Sequence, residues 1–179
     1  QITSYLLAQY FAYELAVVIL IDKENNLTIQ GFGGKRSREV QQALAGSEFL
    51  IESGITGRVF SSGENMLVTD TSQEPLYKPV KKWTAGSEMC VALKDGEHIL
   101  GIIDVESSEK NTFTNNDLLA IESLAGVLAA VVSSADQYQR LQNMVSQLRL
   151  TQMELNARME AQRAAESRLV QAAKLAAVG

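Results

Sequence analysis

The 179-residue chain contains few of the residues that most often hold metals or carry redox chemistry: one cysteine, one histidine and one tryptophan. Because Cys90 has no second thiol in the chain, an internal disulfide and a multi-cysteine metal site are excluded. Cys90 lies in a predicted strand, where we expect a buried, small apolar side chain. His98 adjoins a predicted turn, where we expect it to be exposed and to bind no metal.

Excess positive charge and membrane-length apolar runs are also missing. Lysine and arginine number 16 against 21 aspartate and glutamate residues, which gives a net charge of −5. Nucleic-acid binding needs a basic face, so we expect no nucleic-acid partner. The longest apolar runs, 15–21 and 124–132, are shorter than the roughly 20 residues that span a bilayer, so we expect no membrane segment. No signal peptide is recognisable, and we expect a cytoplasmic location.

A single long helix is predicted from Thr114 onward. Thr114 supplies a capping hydroxyl and Asp117 a carboxylate three residues later, the pattern of a helix start. Over 118–132 the apolar residues recur at helical spacing and are numerous enough to pack on a folded domain. No proline or glycine occurs between Gly126 and Gly179. The part beyond the domain is therefore a helix of about 45 residues, on the order of 65 Å long.

Beyond Asp136 the apolar positions narrow to one seam with alternating three- and four-residue spacing, the a/d repeat of a coiled coil. This spacing predicts a parallel homodimer through the C-terminal helix. The predicted dimer seam consists of Tyr138, Leu141, Val145, Leu148, Leu155, Met159, Leu169, Ala173 and Ala176.

Two features weaken the middle of this seam. Polar residues occupy some of its positions: Gln152, Gln162 and Glu166. A competing stripe passes through the same region: Met153, Ala157, Ala161 and Ala164. A helix with two nearly equal packings suits a signal conduit, because either end can bias it.

The rest of the chain alternates short strands and helices. An antiparallel sheet flanked by helices, an α+β fold, accounts best for this order. The predicted elements are a helix over 1–13, strands over 15–21 and 27–32, a helix over 38–45, a short strand over 49–51, a brief helix between Gly54 and Gly63, a short strand over 66–68, and a hairpin of strands 88–93 and 98–107.

The connection 72–86 contains both prolines, Tyr77 and Trp83. It is either a lid over a cavity or a loop held by an aromatic anchor, since aromatic residues fill both roles.

Strand 98–107 has one apolar face and one face that becomes polar toward its end. Ile99, Ile103 and Val105 are predicted on the apolar face, and Asp104 and Glu106 on the other. Without a partner histidine, lysine or metal, these two carboxylates are expected to face solvent or cap a loop. No catalytic constellation is recognisable, so we expect that this segment is not an enzyme and holds no metal.

Several segments, taken in chain order, resemble a GAF domain over about residues 1–132. They are Gly54-Ile55-Thr56-Gly57 with Val59, Gly63, Val68-Thr69-Asp70, Pro75-Leu76-Tyr77, Ser87-Glu88 with Val91-Ala92-Leu93, and 99–107 followed by Phe113-Thr114 and Asp117. Two positions depart from the family pattern: Gly86 stands where the family often has arginine, and Ala92 where it often has proline. Some GAF-fold proteins are methionine sulfoxide reductases, but that chemistry needs a resolving thiol that one cysteine does not supply.

The segment 171–179, Gln-Ala-Ala-Lys-Leu-Ala-Ala-Val-Gly, resembles the start of the dimerisation helix of a sensor histidine kinase. The resemblance implies a GAF-like sensory domain over 1–132, a coiled-coil signalling helix over 133–170, and the kinase helix over 171–179, ending before the phospho-accepting histidine. It also implies a parent chain that uses ATP and magnesium and passes phosphate to a response regulator.

A GAF domain implies a pocket between the sheet and the loops that cover it. Candidates by position and chemistry are Phe32, Phe60, Asp70, Tyr77, Trp83, Met89 and Val91. We expect no cofactor in this segment and an unidentified small-molecule ligand. Two alternatives stay open: the same domain controls a transcription activator or nucleotide cyclase, or it is a structural dimerisation module without a ligand.

Overall fold

A computed structural model describes residues 13–22, 26–44, 53–80 and 83–176. The predicted strand over 49–51 and nearly all of the predicted helix over 1–13 lie outside these residues. The chain divides into two compact units, Gln1–Ser133 and Ser134–Gly179.

The first unit contains an antiparallel five-stranded sheet, which confirms the predicted α+β fold. Its strand order is β2-β1-β5-β4-β3. The strands are β1 (Leu15–Ile21), β2 (Leu27–Gly33), β3 (Met66–Val68), β4 (Ser87–Asp95) and β5 (His98–Ser107). The helices are α1 (Ser37–Leu44), α2 (Gly54–Ser62) and α3 (Asn115–Ala176), with a 3₁₀ turn at Thr71–Gln73.

Strands β1, β4 and β5 are buried on both faces, because each side of the sheet is covered by a different layer. On one side, called the helix face here, Ile103 and Val105 share a core with Ile121 and Ala125 of α3. The opposite side, called the cavity face, carries the second core, whose members include Leu15, Val17, Ile19, Cys90 and Ile102 of the sheet, Val40 of α1, and Ile55 and Val59 of α2. Side chains of one strand alternate between these cores.

A bulge in β5 changes which residues belong to each face. Leu93 pairs with Gly101, but Lys94 pairs with Ile99, so one extra residue of β5 is accommodated between them. Ile99 therefore packs with the cavity-face core and Leu100 with the helix-face core. The prediction that Ile99 shares a face with Ile103 is wrong, because strict alternation is interrupted at this bulge.

Helix α3 begins with the predicted cap. The Thr114 amide and hydroxyl donate to Asp117 Oδ2 at 2.7 and 2.6 Å. In the first unit, Ile121, Ala125 and Ala129 are buried against the sheet. By length and composition alone, a stretch of α3 is also apolar enough to cross a membrane, with a mean hydropathy of 1.9 and 17% of that stretch buried. A helix packed on a domain core meets the same criterion, so the absence of a membrane segment stays a prediction.

In the second unit, the described residues 134–176 belong to α3. The large apolar seam residues are 40–70% exposed in the single chain. Seam residue Ala173 is exposed as well, and the Ala176 side chain lies outside the described part.

Two glycines provide a matched test of the sheet. A Cβ at Gly101 would lie 2.2 Å from the Ile19 carbonyl oxygen, whereas a Cβ at Gly126 in α3 meets nothing within 4 Å. We expect Gly101→Ala to lower the free energy of unfolding by about 1–3 kcal/mol, because backbone must move. Gly126→Ala is expected to raise it by about 0.5–1 kcal/mol through helix propensity. Urea denaturation measures both, and equal effects would contradict the β1–β5 packing.

Candidate ligand-binding cavity

A cavity of about 50 Å³ lies on the cavity face of the sheet, beneath α1 and α2. Its apolar walls include Leu15, Val17 and Ile19 of β1, Val40 of α1 and Ile55 of α2. By volume it has room for roughly four water molecules or a comparably small ligand fragment. One polar part of its lining consists of three carboxyl groups.

Glu88, Asp104 and Glu106 form this part of the lining, called the acidic cluster below. The β4–β5 register places Glu88 directly opposite Glu106, and Asp104 lies two residues before Glu106 on the same face of β5. One carboxyl oxygen from each residue lies within 4.8 Å of the others. Three acidic side chains therefore converge at one end of the cavity.

The acidic cluster is buried, with exposed fractions of 4% for Glu88, 5% for Asp104 and 8% for Glu106. The expectation that Asp104 and Glu106 face solvent or cap a loop is wrong. Helices α1 and α2 and the Trp83 segment cover this side of β5, so the polar end of the strand points into the protein. Glu88 was not anticipated as a site residue, although a glutamate within an otherwise apolar strand is the signal that could have identified it.

Burial is the main reason that the three carboxyl groups of the cluster have raised pKa values. Loss of solvation raises the pKa of Glu88 to about 8, with a further contribution from the charge of Glu106. Burial also raises the pKa of Asp104 well above its usual range, followed by the charge of Glu88. The pKa of Glu106 is raised by burial and then by the charge of Asp104. Asp104 therefore interacts with both glutamates, and the three carboxyl groups influence one another's protonation.

The aromatic residues of the 72–86 connection support the cluster. The Trp83 indole Nε1–H donates a hydrogen bond to Glu106 Oε2, and Trp83 is 5% exposed. The Tyr77 hydroxyl accepts a hydrogen bond of 2.6 Å from the Ala85 amide. The Arg36 guanidinium lies 5.7 Å from the centre of the Trp83 ring. Trp83 thus anchors the connection beside the carboxyl groups.

The start of α2 also borders the cavity. Ser53, Gly54, Ile55 and Thr56 line it, and Lys78 contributes from the neighbouring turn. The Ser53 side chain makes no capping hydrogen bond to the helix. First-turn amides of a helix have no partner within the helix, and this end carries partial positive charge. The cavity therefore has an acidic wall and an electropositive boundary.

The seven residues proposed from sequence do not line this cavity. Tyr77 and Trp83 belong to the cavity-face core next to the acidic cluster, and Phe32 and Phe60 pack against that core. The structure places Met89 and Val91 in the helix-face core, on the other side of the sheet.

Asp70 caps the 3₁₀ turn, away from the cavity. Its carboxylate accepts a hydrogen bond of 3.0 Å from the Ser72 amide and forms a 3.0 Å ion pair with Lys110. Hydrogen bonds from Ser72 and then Lys110 lower the pKa of Asp70 to about 2. These contacts give Asp70 a structural role in joining the turn to the segment before α3.

Cys90 is fully buried on the cavity face, as expected. Burial raises the pKa of its thiol, and the nearby charge of Asp104 adds to the effect. A buried thiol held in its neutral form is a poor nucleophile. His98 is exposed beside the hairpin turn.

These features define an α+β domain with a small buried cavity. A GAF domain family model matches residues 1–133, and the chain belongs to the GAF domain family. No curated protein matches the chain.

Solved structures with this fold come from several proteins. The GAF domain region of a Geobacter sulfurreducens PCA protein is 30% identical, with 72% of this chain and 86% of that chain covered and a TM-score of 0.57. The GAF domain of an Acinetobacter phosphoenolpyruvate-protein phosphotransferase is 15% identical, with coverage of 76% and 81% and a TM-score of 0.64. A free methionine-R-sulfoxide reductase from Neisseria meningitidis, in complex with its substrate, is 22% identical, with coverage of 76% and 77% and a TM-score of 0.62. GAF domains are generally sensory modules without catalytic activity.

The acidic cluster predicts an unusual dependence of stability on pH. Its carboxyls have raised pKa values when folded, so their contribution to stability is complete below about pH 4.5 and is lost as pH rises toward about 8. For each proton that the folded state binds and the unfolded state does not, the free energy of unfolding falls by roughly 1.4 kcal/mol per pH unit across this window. We expect the free energy of unfolding to fall between about pH 5 and pH 8. Urea denaturation at fixed chain concentration measures it.

An isosteric variant assigns this dependence to the cluster. Asp104→Asn removes one buried acid while its amide can donate to both glutamates, so we expect a shallower fall and greater stability at pH 8. Glu97→Gln, in the exposed turn between β4 and β5, is the control and should retain the wild-type slope. Parallel curves for wild type and Asp104→Asn would show that the cluster does not titrate as described.

Proposed function

We propose that this chain is the sensory and dimerisation segment of a sensor histidine kinase, in which a ligand bound in the cavity alters the packing of α3. Strand β5 carries this proposal. Its Asp104 and Glu106 line the cavity, while the intervening Val105 and the preceding Ile103 pack on the opposite face with α3. A displacement of this strand changes both surfaces together.

The segment between β5 and α3 offers a second route for the same displacement. The Ser87 hydroxyl donates a 2.7 Å hydrogen bond to the Glu109 carbonyl, and the Asn111 amide donates one of 2.8 Å to the Thr69 carbonyl. These bonds, with the Asp70–Lys110 ion pair, fasten the approach to α3 onto neighbouring parts of the sheet domain. Because these contacts hold the segment between β5 and α3 in place, a displacement of β5 would also move the start of α3.

The proposed partner of the second unit is a second copy of the chain. Its large apolar seam residues are at least 40% exposed in the single chain and follow the a/d repeat. A helix gains little stability from propensity alone, and most helices in proteins depend on packing of an apolar face. A parallel homodimer supplies that packing and aligns two identical output segments.

The output proposed beyond residue 179 is a kinase core that uses ATP and magnesium and transfers phosphate to a response regulator in the cytoplasm. The resemblance of 171–179 to the kinase dimerisation helix supports this output. A methionine sulfoxide reductase activity is disfavoured, because the only thiol in the chain is fully buried in the sheet.

Single substitutions on α3 test the dimer and its register. Leu148→Lys places a charge at a seam position, so we expect a loss of dimer and of helix content. Leu150→Lys, at a similarly exposed residue two positions away, falls outside the seam and is the control. Sedimentation equilibrium and circular dichroism at 222 nm measure the two effects. If Leu150→Lys dissociates the dimer and Leu148→Lys does not, another register is in use.

Extension of the natural reading frame tests the output. We expect a histidine followed by an acidic residue on the continuing helix, and transfer of the γ-phosphate of labelled ATP to that histidine in the longer protein. A different output domain in that frame would overturn the kinase assignment and leave the GAF assignment intact.

A further inference from the structure

The acidic cluster brings together three buried carboxyl groups that form no ion pair in the described part of the chain. In the described ranges, the ion pairs involve other carboxylates, such as Arg36–Glu39 and Lys110–Asp70. Buried carboxylates are costly unless they are paired or protonated. Protons can supply this compensation, and a bound cation can replace them.

A second observation indicates that a donor is missing from the cavity. Asp104 Oδ1 is buried and, within the part of the chain that the structure describes, has no hydrogen-bond partner. Asp104 itself lines the cavity. Buried polar atoms in proteins nearly always have a partner, so an orphaned acceptor at a cavity wall marks the place for a donor on a ligand.

We propose that the cavity binds a small organic molecule through a protonated amino group, held by Glu88, Asp104 and Glu106. This proposal rests on the proposed sensory function. It adds the chemical class of the ligand that the domain would sense.

The carboxyl oxygens lie close enough together for one ammonium group to contact all three. An ammonium nitrogen donating three hydrogen bonds of about 2.8 Å in tetrahedral directions holds its acceptors about 4.6 Å apart. The three cluster oxygens lie within 4.8 Å of one another. One donor can be directed at each carboxyl group, and the orphaned Asp104 oxygen gains a charge-assisted bond.

The remaining walls favour an organic cation over a bare metal ion. Calcium and magnesium prefer six or more oxygen ligands, supplied by carboxylates, carbonyls and water. Here the acidic wall is continuous with apolar side chains from β1, α1 and α2, including Val17, Val40 and Ile55. A ligand with a charged amino group and a short aliphatic body satisfies both surfaces.

The electropositive boundary selects among such amines. The first turn of α2 and Lys78 line the same cavity as the acidic cluster. A carboxylate placed there would be stabilised by the partial positive charge of the helix start and by the lysine charge. The smallest free α-amino acids, glycine and alanine, carry both groups on a short body, so we expect these two to bind more tightly than simple amines.

Binding can be tested on the complete 179-residue chain. The probes are ethylammonium chloride, sodium propionate, calcium chloride and the common free L-amino acids, each added at matched ionic strength and millimolar concentration. Trp83 fluorescence reports directly on the cluster, because its indole donates to Glu106. Thermal unfolding gives an independent readout, since a ligand specific for the folded state raises the melting temperature. We expect saturable binding of at least one amino acid, weaker binding of ethylammonium and none of propionate.

Three variants assign the interactions. Glu88→Gln and Asp104→Asn keep the side-chain shape and should each weaken amine binding by about tenfold to a hundredfold. Lys78→Gln should weaken amino-acid binding and leave ethylammonium binding unchanged. Glu97→Gln is the control and should bind as wild type. Circular dichroism verifies folding, and either cluster variant suffices if the other does not fold.

The outcomes separate this inference from the proposed function. No response to any amine, or saturable binding of calcium alone, overturns the amine site. Amine binding that is unchanged in both folded cluster variants does the same. A chain that binds no amine yet dimerises and controls the kinase loses only the ligand assignment. A chain that binds amines but has no kinase output retains the amine site and loses the kinase function.

Discussion

Strand β5 has to satisfy two different environments, and the organisation of the domain follows from this constraint. Its alternate residues pack against α3 on one face and line the cavity on the other. Because the strand is paired on both edges, with β1 and β4, it cannot shift at one position without moving its neighbours. The proposed ligand site and the proposed output helix thus contact the same hydrogen-bonded strand.

The energetic consequence lies in the acidic cluster. Because burial raises the pKa values of three carboxyl groups, the free energy of unfolding falls as pH rises, and keeping these groups buried destabilises the folded domain near neutral pH. Such an arrangement suits a sensor. A ligand that compensates the buried carboxyl groups stabilises the conformation that it binds relative to the other conformations of the domain. The Trp83 hydrogen bond to Glu106 restricts the cluster on one side, while the cavity leaves the Asp104 oxygen available on the other.

Sequence patterns predicted the architecture well and the site poorly. The apolar run of β1, the hairpin of β4 and β5, and the Thr114–Asp117 cap depend on local sequence and were predicted from it. The acidic cluster depends on register between strands and on which side α1 and α2 cover. A pattern of alternation identifies two faces but does not say which layer lies over each, so Asp104 was assigned to the wrong environment. The bulge near Gly101 had no distinctive local signal beyond the glycine.

The helix beyond the sheet domain raises a separate question of stability. Its apolar seam is interrupted by Gln152, Gln162 and Glu166, and a polar residue at an a or d position specifies register at a cost in stability. Described charge pairs within the helix, such as Arg158–Glu154 at 2.6 Å, are exposed and contribute only a few tenths of a kcal/mol. The middle of the proposed dimer is therefore its weakest part. The competing stripe through Met153 and Ala157 crosses that same part, so the proposed signal acts there: if the two packings have nearly equal free energies, a bias of about 1.4 kcal/mol changes their ratio tenfold.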